Sequence, residues 1–284
     1  MTPTGERGDQ PFGENMMPYM TADDGAKIWY DVEGKGEPLV LIGGSSLVHR
    51  QWDFMRPLLA DAYRLILYDQ RGAGLSDRGP EGISVEQWTD DLKHILDGLG
   101  IAKAHIFSTS NGSLIAVRFA AKYPERTRAI IHYGVYRFTE QYRKMSRVGE
   151  TIADEFGFGN GGKGAYFWAR MFGMPSLYEP WLVCRFEENL STEGWKAMHK
   201  ALDVDLTEDL GVIKAPQLMI IADGGPIGKE SDYASGSREI QNILPGTELA
   251  VIQGAEGTFH VITHPAEVAR EVLAFLKRQE SAGE

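Results

Sequence analysis

Cysteine is almost absent from this chain. Cys184 is the only one, so no disulfide can close within it and an oxidising compartment gains no support. Long apolar runs are missing too: no stretch approaches the ~18 residues that suggest a membrane-spanning helix. The first residues, MTPTGERGDQPFGENM, are polar and carry no apolar signal core, which makes a cytoplasmic location the expectation. Basic charge is in deficit, with 29 Lys and Arg against 40 Asp and Glu and a net charge of −11. With no basic block, such a surface repels phosphate backbones and anionic lipid, so neither nucleic acid nor membrane is expected as a partner. The seven histidines include no H-E-x-x-H, and His260 with His264 alone is poor evidence for a metal. No metal and no cofactor are expected.

What is present suits one large domain: 284 residues, 43% of them hydrophobic. Residues 1–17 lack periodicity and read as a flexible tail. Compact apolar runs at 38–42 (PLVLI) and 63–68 (YRLILY) read as strands buried on both faces, with a further strand at 27–32. Val85, Trp88, Leu92, Ile95, Leu96 and Leu99 recur at helical spacing, with Ser84 and Gln87 as a capping box and Gly100 past the end. Strands at 104–107 and 128–133 flank a helix at 114–123 that Pro124 stops. The rhythm resumes with strands at 217–222 and 248–252, a helix near 238–243, and a last helix with Pro265 in its first turn. Alternation of this kind predicts βαβ units and a mostly parallel central sheet flanked by helices.

Between 138 and 212 that rhythm stops. The stretch is helical in composition and rich in aromatics: Tyr166, Phe167, Trp168, Phe172, Tyr178, Trp181, Phe186 and Trp195. It reads as a helical cap over the carboxyl ends of the strands, where open α/β sheets bind ligands. Most of these rings would glue the cap helices together, with Trp168 and Trp181 as candidates to face the pocket. The expected division is a core of 18–137 and 213–284 with a cap of 138–212. Residues 157–164, GFGNGGKG, nearly match a phosphate loop. They lack its terminal hydroxyl and a preceding strand, so they read as a flexible joint.

The chemistry-bearing segment is 104–124, AHIFSTSNGSLIAVRFAAKYP. A strand runs into Ser108-Thr109-Ser110-Asn111-Gly112 and a helix follows at once. So sharp a turn needs small residues two before and two after its tip, and Ser108 and Gly112 supply them in a relaxed G-x-S-x-G elbow. Ser110 would project its hydroxyl at a helix N-terminus, with the Asn111 N–H as one oxyanion donor.

With these residues the chain resembles the α/β-hydrolase superfamily, from about residue 24 to 276. LYDQRGAGLSD at 67–77 resembles the family segment after its third strand, and Tyr123-Pro124-Glu125-Arg126 its usual helix ending. The resemblance implies an α/β-hydrolase fold with a helical cap. LIGGSS at 41–46 takes the place of the family's His-Gly loop, with Gly43 where the His stands and Gly44 beside it. By that resemblance Ser45 offers the second oxyanion N–H, and His49 on the same loop lines the pocket.

The chain departs from the family at the other two triad positions. Where the acid follows the strand at 217–222, matching on Pro226 puts Gly225 at its place, and Asp223 lies two residues earlier. The alternative acid position, after the strand at 128–133, is Gly134. Counting back from Pro265, the position of the family His is Thr258, which cannot act as a base near neutral pH. His260 is two residues on, a shift of roughly 6–7 Å on an extended segment. Ser110, His260 and Asp223 are therefore the catalytic candidates, with Thr258 lining the pocket.

Three readings follow. One is non-hydrolytic chemistry on a small, largely apolar oxygenated metabolite: cyclisation, elimination, decarboxylation or isomerisation, with Ser110, Asn111 and Ser45 binding an oxygen. Another is an ester, lactone or C–C hydrolase using Ser110 with a displaced His260. The third is a non-catalytic small-molecule receptor. A monomer or homodimer with a small-molecule substrate suits each. Of the remaining histidines, His94 and His199 read as helix-surface residues and His105 and His132 as structural ones within strands.

Overall fold

The computed structural model describes residues 18–44, 47–78, 82–133, 140–158, 163–171, 179–189, 191–202, 204–224, 246–256 and 259–283. The tail at 1–17 and the helix expected near 238–243 lie outside them. The strands are β1 (Tyr19–Thr21), β2 (Lys27–Gly34), β3 (Glu37–Ile42), β4 (Tyr63–Tyr68), β5 (Ala104–Thr109), β6 (Thr127–Tyr133), β7 (Gln217–Gly224) and β8 (Glu248–Glu256). They form one sheet in the order β1-β2-β4-β3-β5-β6-β7-β8. The pairings β1–β2 and β2–β4 are antiparallel and the rest parallel. Every residue of β5, and all but the first one or two of β3, β4 and β6 save Arg64, is buried. Burial on both faces is why these strands read as unbroken apolar runs.

The helices that cover the sheet follow local rules. In α2 (Val85–Gly98), Val85, Trp88, Leu92, Ile95 and Leu96 form the buried stripe, and Ser84 Oγ accepts the Gln87 N–H at 3.1 Å. Gly100 follows with φ +66°, the left-handed turn that glycine enters without strain. α3 (Gly112–Lys122) leaves β5 after only two residues and lies almost wholly buried. A Cβ on Gly112 would meet the carbonyl oxygens of Ile42 and Gly43 at 2.7 and 2.8 Å. Both obstacles are backbone, so Gly112→Ala is expected to lower stability by about 1–3 kcal/mol. A shifted denaturant midpoint with unchanged slope would show it; an unshifted midpoint would mean that α3 has room to move off β3.

The chain turns back from β3 to β4 but continues from β5 to β6. The loops leaving β3 and β5 part there, at the switch point where open α/β sheets place ligands. The β3 loop folds into a 3-10 turn, Val48–Trp52, and the short helix α1 (Arg56–Leu59).

Between β6 and β7 the described chain is helical: α4 (Glu140–Phe156), α5 (Gly164–Met171), α6 (Glu179–Asn189), α7 (Thr192–Ala201) and α8 (Thr207–Val212). One aromatic stack joins them. Trp195 lies on His199 (3.2 Å between centroids) and on Phe158 (5.3 Å), with Trp168 edge-on at 5.3 Å. Gly149 of α4 makes room for it, since a Cβ there would fall 2.1 Å from Trp195 Cη2. The sequence placed His199 on a helix surface; it is buried instead, because the Trp195 ring draws that face of α7 into the stack. In the glycine-rich joint, Gly157 ends α4 at φ +68° and its carbonyl accepts the Gly164 N–H at the start of α5, so a helix rather than a strand precedes the near phosphate loop. The last two helices are a single turn, His260–Thr263, and the long Pro265–Gly283. Among the described residues no helix is long and apolar enough to cross a membrane.

Candidate active site

Ser110 is held in a conformation that ordinary side chains avoid. Its φ is +52°, in the left-handed region, and its N–H donates to the Tyr133 carbonyl at 2.9 Å, tying the elbow to the end of β6. Gly44 presses against it from the β3 loop, where a Cβ would meet Ser110 Cβ at 3.1 Å. Beneath the tip, the Ser108 hydroxyl lies 3.2 Å from Ser113 Oγ and 3.4 Å from His132 Nδ1. His132 Nε2 in turn lies 3.0 Å from Gln217 Oε1. The serine that replaces the first glycine of the elbow is thus small enough for the turn and also joins a buried polar chain. At the tip itself, Ser110 Oγ donates to Asn111 Oδ1 at 2.8 Å.

His260 is nowhere bonded to that hydroxyl. It is buried, its own N–H donates to Tyr133 Oη at 2.9 Å, and its Nδ1 lies 3.2 Å from the same oxygen. The two rings meet edge-on with centroids 4.5 Å apart. Burial pushes the imidazole down to about 3, with His264 adding repulsion, so the ring is neutral near pH 7. The sequence reading carried His260 on an extended segment; here it opens a helical turn. Val261 and Ile262 are fully buried in that turn, and a rise of ~1.5 Å per residue replaces the extended spacing.

The β3 loop is braced from below. Asp69, one residue past β4, accepts on Oδ1 both the N–H (3.0 Å) and Nδ1 (2.7 Å) of His49, and on Oδ2 the Leu75 N–H (2.9 Å). The His49 ring rests on Trp29, 4.3 Å between centroids. Val48 beside it has φ +43°, a strained position for a β-branched residue. A Cβ on Gly43 would fall 2.0 Å from the Val48 carbonyl oxygen, so the loop's path depends on glycine where the family carries His. Gln51 Oε1 accepts the Gly44 N–H (2.7 Å) and the Thr109 hydroxyl (2.8 Å), joining the loop to the elbow strand. Gln70 Nε2 donates to the Gly43 carbonyl at 2.6 Å. From α6, Asn189 Nδ2 donates to the Leu47 carbonyl at 3.3 Å.

The structure therefore brings Ser110, Asn111, Gly43 and Gly44 together, and puts His49 on the same loop with its ring turned to Asp69. Trp168 packs inside the aromatic stack, and Trp181 is half-buried against Phe54 at 5.4 Å. Ser45 and Thr258 lie outside the described residues, as does the side chain of Asp223, whose backbone is in β7. Tyr133, Gln51 and the pairing of Asp69 with His49 were missed. The one usable signal was position, since Tyr133 and Asp69 stand at the carboxyl ends of central strands. Among the described residues no group of three or more His, Cys, Asp or Glu is placed to hold a metal.

Residues 37–150 match the model of a family described by the α/β-hydrolase fold. A carboxylesterase structure from the thaumarchaeon Nitrososphaera gargenis superposes with a TM-score of 0.80 at 22% identity, covering 93% of this chain and 100% of that one. This chain has the α/β-hydrolase fold. It is 25% identical to non-heme chloroperoxidase CPO-A1 of Kitasatospora aureofaciens, over 92% of this chain and 100% of the relative. It is 36% identical to epoxide hydrolase 1 of Caenorhabditis elegans over 98 residues, 34% of this chain and 24% of that protein. The first curated relatives are matched over less than half of their own length.

Proposed function

We propose that this α/β-hydrolase-fold chain is an enzyme that acts on a small, largely apolar oxygenated metabolite by non-hydrolytic chemistry: cyclisation, elimination, decarboxylation or isomerisation. The observation that carries the reading is the split between elbow and base. Ser110 keeps the strained backbone of an elbow tip and is half-buried, while its hydroxyl is turned to Asn111 and the imidazole of His260 is held by Tyr133. A serine needs an adjacent base to become a nucleophile near neutral pH. Among the described residues no imidazole is hydrogen-bonded to the Ser110 hydroxyl, so that hydroxyl and the backbone N–H groups at the start of α3 suit another task. They bind a carbonyl oxygen and stabilise enolate-like charge as it develops. His260, neutral and close by the end of β6, is the group to move a proton. The aromatic content of the stretch between β6 and β7 supports an apolar substrate, and similarity to a chloroperoxidase supports chemistry other than hydrolysis on this scaffold.

A second reading, ester, lactone or C–C bond hydrolysis through Ser110 with a displaced His260, is favoured by the φ of +52° at the elbow. Labelling with a fluorophosphonate separates the two, read by intact mass and peptide mapping with Ser110→Ala as the control. No adduct on folded protein is the expected result. A stoichiometric adduct on Ser110 would overturn the non-hydrolytic reading and direct attention to ester and lactone panels.

A further inference from the structure

Tyr133 is the last residue of β6 and touches both halves of the site. Its carbonyl accepts the Ser110 N–H at 2.9 Å, and its hydroxyl faces His260, 127 residues away. A phenol oxygen can accept on its lone pairs and has one proton to donate. Here Oη accepts the His260 backbone N–H at 2.9 Å while Nδ1 of the same residue lies 3.2 Å away. A phenol is uncharged near neutral pH, unlike the carboxylate that holds a triad histidine. A carboxylate can only accept, so it draws the imidazole proton to Nδ1 and leaves Nε2 basic. A phenol can do the reverse.

We infer that Tyr133 is the positioning residue of this site, its hydroxyl donating to His260 Nδ1 so that the ring is fixed in orientation and carries its proton on Nε2. Three contacts from one residue fix the ring: the N–H bond to Oη, the Nδ1 contact, and the edge-on packing at 4.5 Å. Burial keeps the imidazole neutral, so a single tautomer decides what the ring offers. With its proton on Nε2, His260 presents a donor to a substrate oxygen, whereas serine acylation needs an acceptor there. Tyr133 would thereby account for an intact elbow that does not acylate. The inference rests on the proposed function in taking His260 as the group that meets the substrate.

The test is ring-nitrogen NMR on the full chain labelled with 15N in histidine, with the His260 signals assigned by their loss in His260→Gln. In the unmodified protein at neutral pH, His260 is expected to show a protonated Nε2 and an unprotonated Nδ1. Tyr133→Phe keeps the ring and its packing but removes Oη, and is expected to lose that one-sided tautomer. A proton on Nδ1 in the unmodified protein, or identical His260 signals in the two proteins, would overturn the inference; the first of these needs only the assignment variant and not Tyr133→Phe. Fluorophosphonate labelling is read separately: an adduct on Ser110 sinks the proposed function, while the tautomer alone decides the role of Tyr133.

Discussion

Between pH 6.5 and 5 the chain is expected to lose stability at up to about 5 kcal/mol per pH unit. Four buried histidines set this slope. Burial lowers His105, His132 and His199 to about 4 and His260 to about 3. In the unfolded chain a histidine titrates near 6.5. Below that value the unfolded state takes up protons that the folded state refuses, so stability rises with pH and falls as the solution is acidified. The loss continues until the folded-state values near 4 are reached. Each histidine contributes up to ~1.4 kcal/mol per pH unit inside the window. Carboxylates do not imitate this: Asp24 and Asp97, held below the ordinary 3.8 by their hydrogen-bond partners, lose their contribution only at lower pH, and Asp53, Asp91 and Asp209, raised by burial, act in the opposite direction. The loss is a large fraction of a typical total of about 5–15 kcal/mol. Urea unfolding at pH 7, 6 and 5 measures the slope. His105→Phe offers an internal control: among the described residues neither ring nitrogen of His105 has a hydrogen-bond partner, and Glu280 Oε1 lies 3.9 Å from Nε2. It should reduce the slope by about a quarter without loss of stability at pH 7. A stability that is flat across the window would mean that the four imidazoles are not buried as described.

Asp69→Ala is the single substitution expected to cost most in the loop that carries Gly43 and Gly44. The carboxylate is fully buried and accepts three hydrogen bonds, two from His49 and one from Leu75. Truncation leaves three donors unpaired, each costing about 1–3 kcal/mol, and a loss of about 3–5 kcal/mol is expected. His49→Ala should cost less, since the His49 backbone N–H keeps its bond to Asp69. The pair should couple by about 0.5–3 kcal/mol in a double-mutant cycle read from denaturant midpoints. Additive losses would show that the two side chains stabilise the fold independently and that the dyad does not brace the loop.

Much of the core was legible because its signals are local. The strand at 63–68 begins and ends where its apolar run does, and the Ser84 cap and Gly100 stop bound α2 as their chemistry requires. The elbow was legible for a steric reason: a strand-to-helix turn so tight admits only small residues beside its tip, and Gly112 indeed has carbonyl oxygens where a side chain would be. The short strand β1, the 3-10 turn at Val48–Trp52 and the helical turn at His260 were not legible. Each is too short for periodicity to register, and packing decides it.

The sequence by itself determined a mostly parallel α/β sheet and an elbow at Ser110. Burial on both faces selects apolar runs, and turn sterics select small residues, within a few positions of each other. Only the tertiary structure decided which group each imidazole meets. His49 finds Asp69 twenty residues on, His260 finds Tyr133 across 127, and His199 is buried under a tryptophan that its own helix supplies. Such pairings depend on strand order and on directions good to a few tenths of an ångström. No periodicity along the chain encodes either, because a hydrogen bond is specified by where two distant backbones come to rest.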